Sequence, residues 1–305
     1  CGHDVHMTAL VGAATLLARA KDRWRGTLVL VGQPAEEGGG GARKMLDDGF
    51  LTRFPKPDYA LSMHDSAVLP AGQIGMTPGY AFANVDSVDI TIYGRGGHGS
   101  KPEATIDPIV IAARTVLALQ AIVARENSPF DPAVVTVGSI HGGLKHNIIP
   151  DEVKLQLTVR SYKEEVRRRI LAAIERIAKT EAAVSNAPKE PTVTVSEGTN
   201  ALYNDPDLSR RLTQAYVAAF GTDRVTEARP VMAGEDFGEF GRAAKAPSVL
   251  VWIGAVDPKK FAEAKGNEAT LPYLHSSLFA PDPEPTVKAG AAAMTVGALE
   301  LLGKP

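Results

Sequence analysis

"SVDITIY" at residues 87–93 alternates Val88, Ile90 and Ile92 with polar neighbours, so an extended segment here has one apolar side and one polar side. That is the pattern of a strand covered on a single face. The same texture continues outward in "AVVTVGSI" (133–140), "VKLQLTVR" (153–160) and "TVTVS" (192–196). Helical spacing fills about 108–124, and Val166, Ile170, Ile174 and Ile177 mark one side of a second helix. The order reads as βαββαβ, a two-layer unit with both helices on one face of its sheet. In "VKLQLTVR" the residues Val153, Leu155, Leu157 and Val159 face the helices, which puts Arg160 on the uncovered face, open to substrate or a partner.

The flanking segments have a different texture. "TLVLVG" (27–32), "DYALSM" (58–63, ending on His64) and "PSVLVWIGA" (247–255) are continuous apolar runs of the kind found in buried parallel strands. Helices alternate with them. One starts with Asp4 as its cap and carries Val5, Leu10, Ala13, Leu16 and Leu17; others fall at 42–48, 206–220 and 235–244, and a last one follows Pro285. The predicted fold class is α/β: a mostly parallel sheet flanked by helices, built from both ends of the chain, with the βαββαβ unit inserted. The expected domains are 1–84, 85–197 and 198–305, the first and last forming one body. A length of 305 residues agrees with two domains.

The chain is 44% apolar and 22% charged with a net charge of −2, which supplies no electrostatic case for nucleic acid or an anionic membrane as partner. No apolar run approaches the roughly 20 residues that span a bilayer, and the start of the sequence lacks the pattern of a secretory signal. The expectation is a soluble protein, with the cytoplasm favoured over a periplasmic or secreted location reached after loss of an N-terminal segment. The single cysteine cannot form an internal disulfide, so Cys1 must be a core residue, a ligand or a nucleophile.

Cys1, His3, Glu37 and His64 fall in loops expected at one edge of one sheet, beyond the carboxyl ends of its strands, where ligands bind in α/β folds. Thiolate, imidazole and carboxylate are donors for zinc, manganese, cobalt or nickel. Any one histidine is ordinarily a packed or surface residue; the grouping is what points to a metal. Glu36 and Glu37 are adjacent after "GQPA" at the expected end of a buried run, where an unpaired charge is costly. One can ligate metal while the other serves as general base toward a metal-bound water. The run Gly38–Gly41 lacks the lysine and hydroxyl ending of a phosphate loop and reads as close backbone packing.

With Cys1-Gly-His-Asp, "QPAEEGGGGA", Met63-His64, "GRGGHGSKPEATIDPI", "VGSIHGGLKHNIIPDEV", "GEDF" and "LHSSLF" in that order, the sequence resembles the hippurate hydrolase and indole-acetyl-amino-acid hydrolase branch of the aminoacylase/carboxypeptidase metallohydrolases. The resemblance covers nearly the whole chain. It implies a zinc-exopeptidase-like fold with two divalent metal ions per chain, zinc or manganese ahead of cobalt or nickel, and hydrolysis of the amide bond of N-acyl or N-aroyl amino acids. The inserted unit then acts as lid and as the surface of a homodimer or higher homo-oligomer. Residue by residue, it makes Cys1 the bridging thiolate, held deprotonated and so a ligand rather than a nucleophile. His3, Glu37, His64 and His275 become the other ligands and Glu36 the general base. It further implies that His98 reaches the neighbouring subunit's site to stabilise the tetrahedral intermediate, that Asn147 and Arg160 orient the substrate, and that Gly234, with Glu235, lines the acyl side. His6 is left as a support or packing residue.

The sequence departs from the family in two places. Members usually carry a segment before Cys-Gly-His-Asp, with an early strand and an acidic stretch near the metals, so the sequence is expected to be a piece of a longer protein or to lack those supports. "MHDSAVLPAG" stands where a His-Val-Trp-Pro run is usual, which changes the pocket wall beside His64. The competing readings are a non-catalytic binding protein or fragment on the same scaffold and a metallocarboxypeptidase acting on short peptides.

Overall fold

In the computed structural model of the chain, residues 1–38 and 40–304 are described, apart from the side chain of Glu197; Gly39 of the glycine run lies outside the described residues. Two compact units are present. The first comprises Cys1–Ala81, Tyr203–Pro230 and Asp236–Pro305, the second Phe82–Leu202 and Val231–Glu235. The short piece 231–235 joins the second unit through its backbone: the Ala83 amide donates to the Ala233 carbonyl at 2.9 Å, and Phe82 bridges Val231.

In the first unit the strands Ala60–Pro70, Ser248–Val256, Ile74–Met76 and Val225–Glu227 lie side by side in that order. The outer two pairings are parallel and the middle one is antiparallel, giving a mixed sheet in which parallel pairing predominates. Ser248–Val256 is buried along its whole length, as expected of an apolar run covered on both faces. The helices His3–Arg19, Pro206–Phe220 and Pro283–Leu302 supply the cover: Val5, Ala9, Leu208, Leu212 and Ala293 pack with Met63, Val249, Val251 and Ile253 in one core.

Three expectations for this unit are corrected. Residues 27–32 lie in no strand, and Leu30 is 49% exposed. A strand needs a ladder partner for its N–H and C=O groups, and this run has none among the described residues; its Leu28 packs instead beside Leu17, Trp24 and Ala298. The strand expected to end on His64 continues to Pro70, so His64 sits within a parallel ladder opposite Trp252 rather than beyond a strand end. Asp4 is inside the first helix; Gly2, at φ 78°, is the cap, and Asp4 adds negative charge to the positive end of the helix dipole.

In the second unit Ala133–His141, Glu152–Ser161, Asn84–Tyr93 and Thr192–Thr199 form one sheet, antiparallel throughout. Alternation in Asn84–Tyr93 is complete, each buried residue followed by a partly exposed one. Pro108–Ala121 and Glu164–Val184 pack Ile111, Leu119, Ile170 and Ile174 on Val88, Ile90, Leu155 and Val159. The opposite face is polar: Ser139 donates to Gln156 at 2.9 Å and Gln156 to Asp89 at 3.0 Å. The segment Pro108–Glu126, 19 residues with mean hydropathy 1.5, is by length and composition apolar enough to cross a membrane, which the sequence reading overlooked. Its buried Ile111, Ala112, Leu119 and Ile122 belong to the core over the sheet, while Ile109, Val110, Leu117 and Val123 of the same segment are exposed.

Candidate metal centre

Four separate stretches of the first unit meet at the start of its first helix. Cys1, His3 and His64 each present a donor atom within 4.8 Å of the others, and Cys1, Glu37 and His275 do the same. Cys1 is common to both groups. His275 Nε2 lies 2.6 Å from Cys1 Sγ and 3.1 Å from Glu37 Oε2, while His3 Nε2 lies 3.8 Å from Glu37 Oε1 and 3.6 Å from Glu36 Oε2. Two three-donor groups sharing one sulfur fit a pair of divalent cations bridged by a thiolate, with Glu36 beside them. The donors are mixed, one soft thiolate with imidazoles and a hard carboxylate, a set that suits divalent transition metals.

The imidazoles are oriented from behind. His64 Nδ1 is 2.7 Å from the Asp65 carbonyl, which as an acceptor fixes the proton on Nδ1 and leaves Nε2 as the ligand nitrogen. The Asp65 amide donates to His6 Nε2 at 3.0 Å, and the His6 and His64 rings meet edge to face with centroids 4.5 Å apart. Asp65 itself is fully buried, and its Oδ2 has no hydrogen-bond partner among the described residues. That oxygen lies against Gly2, where a Cβ would overlap the carboxylate, so the glycine is required both for its φ and for this approach. Burial pushes the Asp65 carboxyl up, but His6 and His64 outweigh it and hold it below its ordinary value; burial, and then His64, lower His3, and burial lowers His6.

The Glu36-Glu37 pair is carried on a tightly turned loop. Ala35 has φ 56° and Gly40 φ 59°, and Gly41 lies so close to the Pro34 carbonyl that a Cβ there would overlap it. The 6%-exposed Asp236 accepts from Gln33 Nε2 at 2.6 Å and from the Ala42 amide at 3.0 Å, at the two ends of that loop.

A family sequence profile described as peptidase family M20/M25/M40 matches residues 1–272. The chain belongs to this family. Members similar to it are named hydrolases. Thermostable carboxypeptidase 2 of Saccharolobus solfataricus is 34% identical over 307 residues, spanning 100% of this chain and 73% of the relative. An Arabidopsis thaliana IAA-amino acid hydrolase, ILR1-like 2, is 34% identical over 289 residues, covering 91% of this chain and 64% of its own length. Among solved structures, the Bacillus subtilis YXEP protein, described as a dinuclear metal-binding peptidase from the M20 family, superposes with a TM-score of 0.76 at 27% identity, over 99% of this chain and 73% of that one.

Within this M20/M25/M40 chain, the predicted Cys1, His3, Glu36, Glu37, His64 and His275 come together, whereas His98, Asn147, Arg160 and Gly234 belong to the second unit. There His98 and Asn147 are neighbours: the strand Gly97–His98 pairs with Ile148–Ile149, and the Gly99 amide donates to the Asn147 carbonyl at 2.8 Å. His98 Nδ1 accepts from the Ser100 amide at 3.1 Å, which places the ring proton on the exposed Nε2. Arg160 donates through Nη1 to the Met232 carbonyl at 2.7 Å. At Gly234 a Cβ would come within 2.9 Å of Val85 Cγ2, so packing by itself favours glycine there.

Asp65, Gln33 and Asp236 were not singled out from the sequence. Asp65 carries a readable signal, an acid directly after a ligand histidine in an apolar stretch. Asp236 stood in the quoted motif "GEDF" without a role; its side chain meets the first turn of the helix Gly41–Asp47, far away in the chain.

Proposed function

We propose that this chain is a metal-dependent amidohydrolase that cleaves the amide bond of N-acyl or N-aroyl amino acids, with zinc or manganese as the two cations. The observation that carries the reading is the sharing of Cys1 by two donor groups with Glu36 adjoining them. Bound there, two divalent cations supply Lewis acidity to a carbonyl oxygen and lower the pKa of a water. Cys1, His3, Glu37, His64 and His275 would hold them. Glu36 takes the water's proton on its carboxylate and returns it to the leaving amine nitrogen. Relatives named IAA-amino acid hydrolase and N-acetyl-L-cysteine deacetylase support an N-acylated amino acid as substrate.

In this reading the second unit is a lid and dimerisation domain. Arg160 and Asn147 receive the amino-acid carboxylate, and Gly234 lines the acyl side. His98 of a second copy donates its Nε2 proton to the oxyanion, a role supported by its tautomer. The similarity of the whole chain to a thermostable carboxypeptidase favours short peptides as a second substrate class.

The test is metal content per chain by elemental analysis, together with amino-acid release from a panel of N-acetyl and N-benzoyl amino acids and dipeptides, with and without chelator. Two metals per chain and chelator-sensitive release from the acyl amino acids are expected. Release from dipeptides alone favours the peptidase reading, and a folded, metal-loaded protein that hydrolyses nothing overturns both.

A further inference from the structure

We infer that Asp236 is a positioning residue for Glu36 and Glu37, a single buried carboxylate that closes the loop bearing both. The inference rests on the reading of those two residues as base and ligand. Among the described residues of the loop between Gln33 and Ala42, backbone hydrogen bonding over 34–38 is sparse. Its one backbone hydrogen bond within 34–38 runs from the Gly38 amide to the Glu36 carbonyl at 2.7 Å, and Ala35 occupies the left-handed region that non-glycine residues avoid. The Glu36 and Glu37 side chains are 25% and 46% exposed, so core packing does not set their direction either.

Asp236 supplies what the loop lacks. One oxygen accepts from the Gln33 side chain before the loop and the other from the Ala42 amide at the start of the following helix, so both ends are tied to one rigid group by charge-assisted bonds. The carboxylate is itself seated. The Glu239 amide donates to the Asp236 carbonyl at 3.0 Å, Arg43 Nη2 lies 3.6 Å from Glu239, and Phe50 meets Phe240 edge to face at 5.2 Å, joining the helices on the two sides of the contact. An oxygen of the Asp236 carboxylate also lies within 4.8 Å of one of Glu36, so it bears on the base directly as well as through the loop; loop exchange over 34–38 is the readout that reports the positioning role alone.

The experiment compares Asp236→Asn with the exchanged pair Gln33→Glu/Asp236→Asn. In the exchanged pair the new amide nitrogen at 236 donates to the new carboxylate at 33, and its oxygen still accepts from the Ala42 amide. Three readouts are taken: Mn²⁺ affinity of chelator-treated protein by titration calorimetry, amide hydrogen exchange over residues 34–38, and kcat and KM. Asp236→Asn is expected to weaken Mn²⁺ binding by about 10- to 100-fold, the usual cost of losing a support behind a metal ligand. It is also expected to speed exchange in the loop and to lower kcat with KM little changed, and the exchanged pair to recover most of each loss. Unchanged exchange and Mn²⁺ affinity in Asp236→Asn, or an exchanged pair no better than the single variant, overturns the inference. Should Asp236→Asn not fold, Gln33→Leu removes the loop bond and keeps the Ala42 bond; faster exchange over 34–38 then supports the inference and unchanged exchange refutes it. A wild-type protein that binds Mn²⁺ and hydrolyses nothing defeats the functional reading, while exchange and affinity still judge the role of Asp236.

Discussion

Residues 27–42 and residues 84–93 each contain an apolar run, and they are held in place by different means. The second is a strand with neighbours on both sides, its alternate residues buried in a continuous core. The first has no ladder among the described residues; its apolar part leans on Trp24 and Leu17, and its acidic part hangs between Gln33 and Ala42 on the Asp236 carboxylate. A ladder spreads its energy over many bonds. A clamp concentrates it in two. Substitutions in the inserted unit should therefore register as stability, and those in the metal loop as chemistry.

The largest effect that can break this contrast is Glu36→Gln. With metal retained, kcat is expected to fall by about 10²- to 10⁴-fold, the range for loss of a general base, while the melting temperature stays near wild type; a variant that keeps its kcat removes Glu36 from the mechanism. Asp86→Ala should do the reverse. Asp86 is 1% exposed and grips Arg167 by two bonds of 2.6 and 2.8 Å, which hold the guanidinium above its usual pKa. Removing the buried partner leaves Arg167 only the weaker contacts with Glu164 at 3.4 Å and Asn200 at 3.2 Å, and is expected to cost about 3–5 kcal/mol in denaturant unfolding, with Mn²⁺ affinity unchanged.

Leu155→Ala, a fully buried position beside Ile90, is expected to cost about 2–5 kcal/mol by the same measurement. The smallest effect sharpens the contrast from the other side. Leu30→Ser in the 27–32 run should change stability by no more than about 0.5 kcal/mol, because Leu30 is half exposed. A loss as large as that of Leu155→Ala would mean that the run is buried in solution after all.

The inserted unit was legible because alternation is self-reporting: Val88, Ile90 and Ile92 each declare which face is covered, and Val153 to Val159 declare the matching face of the neighbouring strand. The run 27–32 was misread because a continuous apolar segment states only that it can be buried, and says nothing of whether a partner strand lies beside it. His64 was placed at a strand end for a similar reason, since the apolar texture stops at Met63 while the hydrogen-bond ladder runs on to Ser66. Cys1, His3, Glu36, Glu37, His64 and His275, which the structure brings together, stood out by the chemistry of their side chains and by ordered motifs. Asp236 went unassigned because nothing in the local sequence shows that its carboxylate meets the start of a helix 194 residues away.

The sequence by itself determined the α/β class, the change of texture that marks the inserted unit, and which side chains are candidate donors, because periodicity and side-chain chemistry are local properties that each residue carries alone. Only the tertiary structure decided that Cys1 stands in both donor groups, that Asp65 lies behind His64 against Gly2, and that Asp236 closes the loop of Glu36 and Glu37. Those are distances between groups far apart along the chain, and they are set by the packing of whole helices and strands, which the local pattern of a sequence does not encode.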